Sequence, residues 1–210
     1  HDNVINQGPA RAALGDAPAP SAEVASAPAA KPENSAAAGA PAKDPTSLAL
    51  LTIAVKNAVE ANRIDLYLQP LITLPQRKVR FYEAVCRLRD DKGEVLTAAN
   101  FIPPAENAGL MPRIDHSVLF RCVQVLRRLL VKNKDVGLFC NVAAATMRDE
   151  IVFGQCLDFL DANRALAPSL VLEFKLDALR NFGPSESERL GALAQRGFRI
   201  SVDHVNDLRL

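Results

Sequence analysis

From residue 136 onwards two patterns alternate with a regularity that leaves few folds open. Residues 136–141, 170–174 and 198–203 are short apolar runs of strand length, and residues 153–163 and 186–196 between them carry apolar positions at helical spacing. Strands that alternate with helices pair in parallel through right-handed crossovers, so this part of the chain predicts a parallel sheet covered by helices. All three runs end on a polar or acidic residue: Asn141, Glu173 and Asp203. In a β/α barrel the C-terminal strand ends converge on the site, which makes these residues candidates for function before structure.

A fourth candidate precedes them. In the strand-like stretch 78–90, Val79, Phe81, Glu83, Val85 and Arg87 alternate onto one face. The pattern predicts a buried acid and a buried guanidinium pointing the same way out of an apolar run. Residues 64–74 read as another strand, with Tyr67, Gln69 and Leu71 on one face, and Pro75-Gln76-Arg77 is a turn too short for anything but antiparallel pairing. Ahead of it, a cap at residues 44–46 opens a helix on Leu48, Leu51, Val55, Ala58 and Val59 that ends near Asn62. After a turn at Asp91-Lys92-Gly93, residues 98–110 predict a short helix interrupted by Pro103-Pro104. Residues 112–132 predict a long helix burying Ile114, Val118, Leu119, Cys122, Val123, Leu126 and Leu129 or Leu130. Its Arg121, Arg127, Arg128 and Lys132 read as a solvated face, and His116 as structural.

The first 45 residues are of another kind. Prolines at 9, 18, 20, 28, 32, 41 and 45 interrupt an alanine-rich stretch, and each would cost a helix interior ~3 kcal/mol. Residues 1–45 are therefore expected to be a disordered linker and 46–210 a single folded domain. A formal net charge of +1 argues against a nucleic-acid-coating protein. Cys86, Cys122, Cys140 and Cys156 lie far apart in apolar segments, as reduced core thiols of a cytoplasmic domain would. There is no apolar run of ~18 residues. A chain that begins at His1 is expected to continue N-terminally, where a membrane anchor would lie.

Glu83, Asn141, Glu173 and Asp203 together form a hard oxygen-donor set, suited to Mg²⁺ or Mn²⁺ rather than zinc. Singly, each has a plainer reading: Glu173 as partner of Lys175, Asn141 as a turn or capping residue.

Several segments carry a family resemblance. Glu83-Ala84-Val85 with Arg87, the opening strand Leu66-Tyr67-Leu68-Gln69-Pro70-Leu71, and Phe101-Ile102-Pro103-Pro104-Ala105-Glu106-Asn107-Ala108-Gly109-Leu110 resemble the signature segments of EAL domains, the bacterial cyclic di-GMP phosphodiesterases and their inactive, ligand-binding relatives. The resemblance runs from about residue 66 to 203. It implies a (β/α) barrel with an antiparallel first strand pair, metal ligands at Glu83, Asn141, Glu173 and Asp203, and dinucleotide contacts at Gln69, Glu83 and Arg87. Departures tell against turnover. The family's Asn-x-Ser is Asn141-Val142-Ala143, its Glu-x-Thr-Glu is Glu173-Phe174-Lys175-Leu176, and its Asp-Asp-Phe-Gly is Asp203-His204-Val205-Asn206.

Five strands are counted where a full barrel has eight over ~250 residues, so the domain is expected to be truncated at its C-terminus, without the family's catalytic lysine. The function implied is a non-catalytic cyclic di-GMP receptor, tethered to the membrane in the full-length protein. Its protein partners would lie in flagellar or polar assembly, and a homodimer is one form it would take. The alternatives are a metal-dependent phosphodiesterase yielding linear pGpG, or a ligand-free scaffold in which Leu176 and Val205 mark a remodelled site mouth.

Overall fold

The computed structural model describes residues 45–205. The expected linker lies outside the described residues, apart from Pro45, the first residue of helix α1 (Pro45–Glu60). An antiparallel hairpin follows, β1 (Ile64–Ile72) and β2 (Val79–Arg89), then the two-residue β3 (Val95–Leu96), which pairs with the end of β2 and was not legible in the sequence. Helices α2 (Ala98–Asn107) and α3 (Met111–Lys132) lead to the predicted alternation: β4 (Gly137–Asn141), α4 (Ala144–Arg148), α5 (Glu150–Ala162), β5 (Leu170–Lys175), α6 (Leu176–Arg180), α7 (Pro184–Gln195) and β6 (Arg199–Asp203).

The six strands form one mixed sheet in the order β1-β2-β4-β5-β6, with β3 beside β2. Only β1 and β3 run antiparallel to their neighbour; β2, β4, β5 and β6 pair in parallel. This is the α/β fold expected, with the antiparallel first pair in place. The described residues leave the sheet open rather than closed on itself.

The sheet's two faces differ, as period-two alternation requires. Ala84, Leu88, Leu138, Cys140, Leu170, Leu172 and Phe174 are buried on one face, where α3 packs on β1 and β4 while α1 and α2 pack on β2. The opposite face carries Tyr67, Leu71, Val79, Phe81 and Phe139, and no described helix covers it. Tyr67 is 50% exposed there, and Phe81 meets Phe139 edge-on at 5.3 Å between centroids. Gly137 permits that ring to lie where it does, since a Cβ would stand 2.5 Å from the Phe81 ring. All four cysteines are free thiols, three of them buried.

Two expectations about helices are corrected. Pro103 and Pro104 do not interrupt α2 but lie inside it. The carbonyls they leave unserved belong to Ala99 and Asn100, both exposed residues where solvent can replace the missing N–H groups. Pro104 itself is buried in the core face. The helix closes on Gly109, φ +65°, with Leu110 N bonded to Ala105 O at 2.8 Å and Gly109 N to Glu106 O at 3.1 Å, the paired bonds of a Schellman motif. On α3, Arg121 and Arg127 are not simply solvated: Arg121 donates to both oxygens of Asn62 at 3.1 Å, and Arg127 donates to Asn163.

Candidate functional site

Strand register aligns the predicted residues into a row on the face that no described helix covers. Gln69 of β1 stands directly across from Glu83 of β2, Glu83 pairs with Phe139, Asn141 with Glu173, and Glu173 with Ser201. Asp203 lies one alternation further along β6, opposite Lys175. Each parallel strand therefore delivers its polar residue to the same end of the sheet, because the helical crossovers return the chain to the start of each strand.

The side chains engage one another along this row. Asn141 Nδ2 donates to Glu83 Oε1 at 3.4 Å, and Ser201 Oγ donates to Glu173 Oε1 at 3.1 Å. Asp203 is held by its own neighbour: the His204 backbone N–H donates to Oδ1 at 2.6 Å, and His204 Nδ1 meets Oδ2 at 2.6 Å. His204 takes φ +55° to do so. Burial pushes the Glu173 carboxyl above the usual carboxylate range. The nearby Asp203 and Glu83 charges push the same way, while the Ser201 hydrogen bond and His204 act against them. Glu83, Glu173, Asp203 and His204 thus share one electrostatic neighbourhood.

Several readings change in detail. Glu83 and Arg87 are half-buried, not buried, because their face carries no helix among the described residues. They also make no ion pair with each other: four residues along a strand separate them by roughly 13 Å, and Arg87 Nη1 donates to the Cys86 carbonyl at 2.9 Å. Glu173 bonds Ser201 rather than Lys175, and Asn141 caps no helix, the residue before α4 being Ala143. Leu176 cannot mark a site mouth, since it is 1% exposed and opens α6 inside the core. Val205 is exposed. His116 sits half-buried on α3, beside Asn62, Ser117 and Arg121.

Two residues were missed. Ser201 shares the alternation of Asp203, and that parity was its only signal. Asp115 is the buried acid of α3, an acid inside an apolar stripe. Its Oδ2 accepts from Ala143 N at 2.7 Å and from the Thr146 hydroxyl. Ala143 has no side-chain oxygen with which to cap α4, so Asp115 supplies one from another helix. The backbone just beyond Asn141 is fixed by this bond and by Val142 N donating to Glu173 O at 2.9 Å. Burial pushes the Asp115 carboxyl up to about 6, against the pull of its two hydrogen bonds.

In kind, the four predicted donors suit a hard divalent cation. In position they do not: each acid is already bonded within the protein, and among the described residues no group of three His, Cys, Asp or Glu could hold a metal ion. No described helix is long and apolar enough to cross a membrane.

Known proteins bear on this arrangement. The EAL domain profile matches residues 53–207. The probable cyclic di-GMP phosphodiesterase PdeG of Escherichia coli K12 is 25% identical over 152 residues, covering 71% of this chain and 30% of that protein. The fold matches the PaMucR phosphodiesterase in complex with c-di-GMP with a TM-score of 0.67 at 22% identity, over 77% of this chain and 66% of that one. The FimX EAL domain of Pseudomonas aeruginosa bound to c-di-GMP gives 0.60 at 24% identity, over 75% and 64%. The chain thus spans less than a third of the first relative and under two thirds of the last structure.

Proposed function

The chain belongs to the EAL domain family, and from that premise we propose that it is a non-catalytic receptor for cyclic di-GMP that relays the second messenger to protein partners. The observation that carries the reading is the row of Gln69, Glu83, Asn141, Glu173, Ser201 and Asp203 along one end of a sheet face that no described helix covers, with Arg87 on the same face. Gln69 and Arg87 supply donors that a cyclic dinucleotide can use, Arg87 as a charge-assisted contact to a phosphate. The relatives named above, a probable cyclic di-GMP phosphodiesterase and two c-di-GMP complexes, support that ligand class.

Against turnover stand His204 in place of a second acid, Leu176 buried where the family carries an acid, and Asp203 bonded to its neighbour. The sequence at residues 74–78 and 109–115, with the Ala/Pro-rich stretch before the domain, resembles TipF, a degenerate EAL protein of alphaproteobacteria that acts in flagellar assembly. That resemblance supports partners in flagellar or polar assembly, a homodimer, and a membrane tether outside the domain. Retention of Glu83, Asn141, Glu173 and Asp203 favours the second reading, a phosphodiesterase producing linear pGpG.

Titration calorimetry of cyclic di-GMP into the full-length protein, with chromatography of the mixture, decides between them. Binding that Arg87→Ala weakens by about tenfold or more, the loss of one charge-assisted contact, with no linear product, is the expected result. Product formation establishes the enzyme. Absence of binding leaves the scaffold reading.

A further inference from the structure

The end of β6 closes a small ring on itself. One residue, His204, uses its main-chain N–H for Asp203 Oδ1 and its imidazole Nδ1 for Oδ2, both at 2.6 Å. It does so from φ +55°, a left-handed backbone region that disfavours a residue with a side chain, so the two bonds are held against a local penalty. Both oxygens of the acid are thereby aimed at its own neighbour. A hard divalent ion is held by carboxylate oxygens whose lone pairs point at it, water completing its shell. Glu173 Oε1 faces Ser201 and Glu83 Oε1 faces Asn141, so each of the three acids spends an oxygen within the protein.

We infer that His204 withdraws Asp203 from cation binding, so that this site holds its ligand through the protein's own donors without a divalent ion, and that one substitution, His204→Asp, restores cation affinity. The substitution removes the imidazole from Oδ2. It also sets two carboxylates side by side, whose repulsion a cation relieves. The choice of a phosphate ligand rests on the receptor reading above, whereas the statement about cations does not.

The test is thermal unfolding of the full-length protein in EDTA and with Mg²⁺, Mn²⁺ or Zn²⁺, followed by calorimetry of cyclic di-GMP under the same conditions. The wild type is expected to melt at one temperature throughout and to bind the dinucleotide with the same affinity in EDTA and Mg²⁺. His204→Asp is expected to gain several degrees with Mg²⁺ or Mn²⁺ and lose them in EDTA. His204→Ala, which frees Oδ2 without adding charge, should gain less, and it serves if the aspartate variant does not fold. A wild-type melting shift with Mg²⁺ or Mn²⁺ overturns the inference, as does a Zn²⁺ shift abolished by His204→Ala, which would make the imidazole itself a ligand. Variants that fold yet gain no cation response also overturn it. If the dinucleotide fails to bind under every condition, the receptor reading falls while the melting data still decide the role of His204.

Discussion

Asp115 is a charge kept where charge is costly, because the end of α4 needs an oxygen there. Its carboxyl is pushed from 3.8 to about 6, a difference worth about 3 kcal/mol between folded and unfolded chains. The sign follows from which state holds the proton. Below 3.8 both states are protonated and nothing is lost. Between 3.8 and about 6 the unfolded chain releases its proton while the native one keeps it, so stability falls as pH rises, and above that range the full cost is present. Both hydrogen bonds arrive at one oxygen, Oδ2, so Asp115→Asn can accept both without the charge. Denaturant titrations across this range should show the fall in the wild type and its absence in Asp115→Asn; an equal slope in the two proteins refutes the assignment. The sequence showed Asp115 only as an acid among apolar neighbours. What it holds lies 28 and 31 residues away and is visible only in three dimensions. Glu83, Asn141, Glu173 and Asp203 were legible because each ends or interrupts an apolar strand, whereas the bonds of Ser201 and His204 depend on register and a local φ that no pattern of residue types encodes.

Elements were legible in proportion to their length. The stripe of α3 and the apolar runs of β4, β5 and β6 repeat often enough to declare their period, but α4 and α6 are five residues each and complete little more than one turn, so neither shows a periodicity. Two prolines outweighed the helical spacing of α2 on paper. In the structure the residues whose carbonyls go unserved, Ala99 and Asn100, are exposed to solvent, which moderates the cost. The helix is stopped by Gly109 rather than by either proline. A Cβ there would meet nothing within 4 Å, so Gly109→Ala tests conformation alone. It should lower stability by about 1–2 kcal/mol, read as a lower denaturation midpoint with an unchanged denaturant slope. A neutral result would mean that the left-handed turn is not needed to end α2.

At the scale of the molecule, the alternation after residue 136 foretold the parallel pairing and the short turn at 75–77 the antiparallel first pair, but residue pattern could not show whether the sheet curls shut. Among the described residues it stays open, with Tyr67, Leu71 and Val79 exposed on the face opposite the helices. Such a patch attracts other apolar surfaces. A fluorescent apolar dye should therefore bind the 210-residue chain, and the double substitution Tyr67→Lys, Leu71→Lys should cut its fluorescence; a signal unchanged by the pair would mean that this face is covered. The order of the strands has one more consequence, for synthesis on the ribosome. Gln69 and Glu83 meet across a hairpin in which Ile72 already faces Val79, so the first pair of the polar row can form while most of the domain is still untranslated. Asn141, Glu173 and Asp203 then emerge in the order in which they stand across the sheet. The polar row is thus synthesised from one side of the sheet to the other, and among the described residues Asp203 and His204 are the last of it to leave the tunnel.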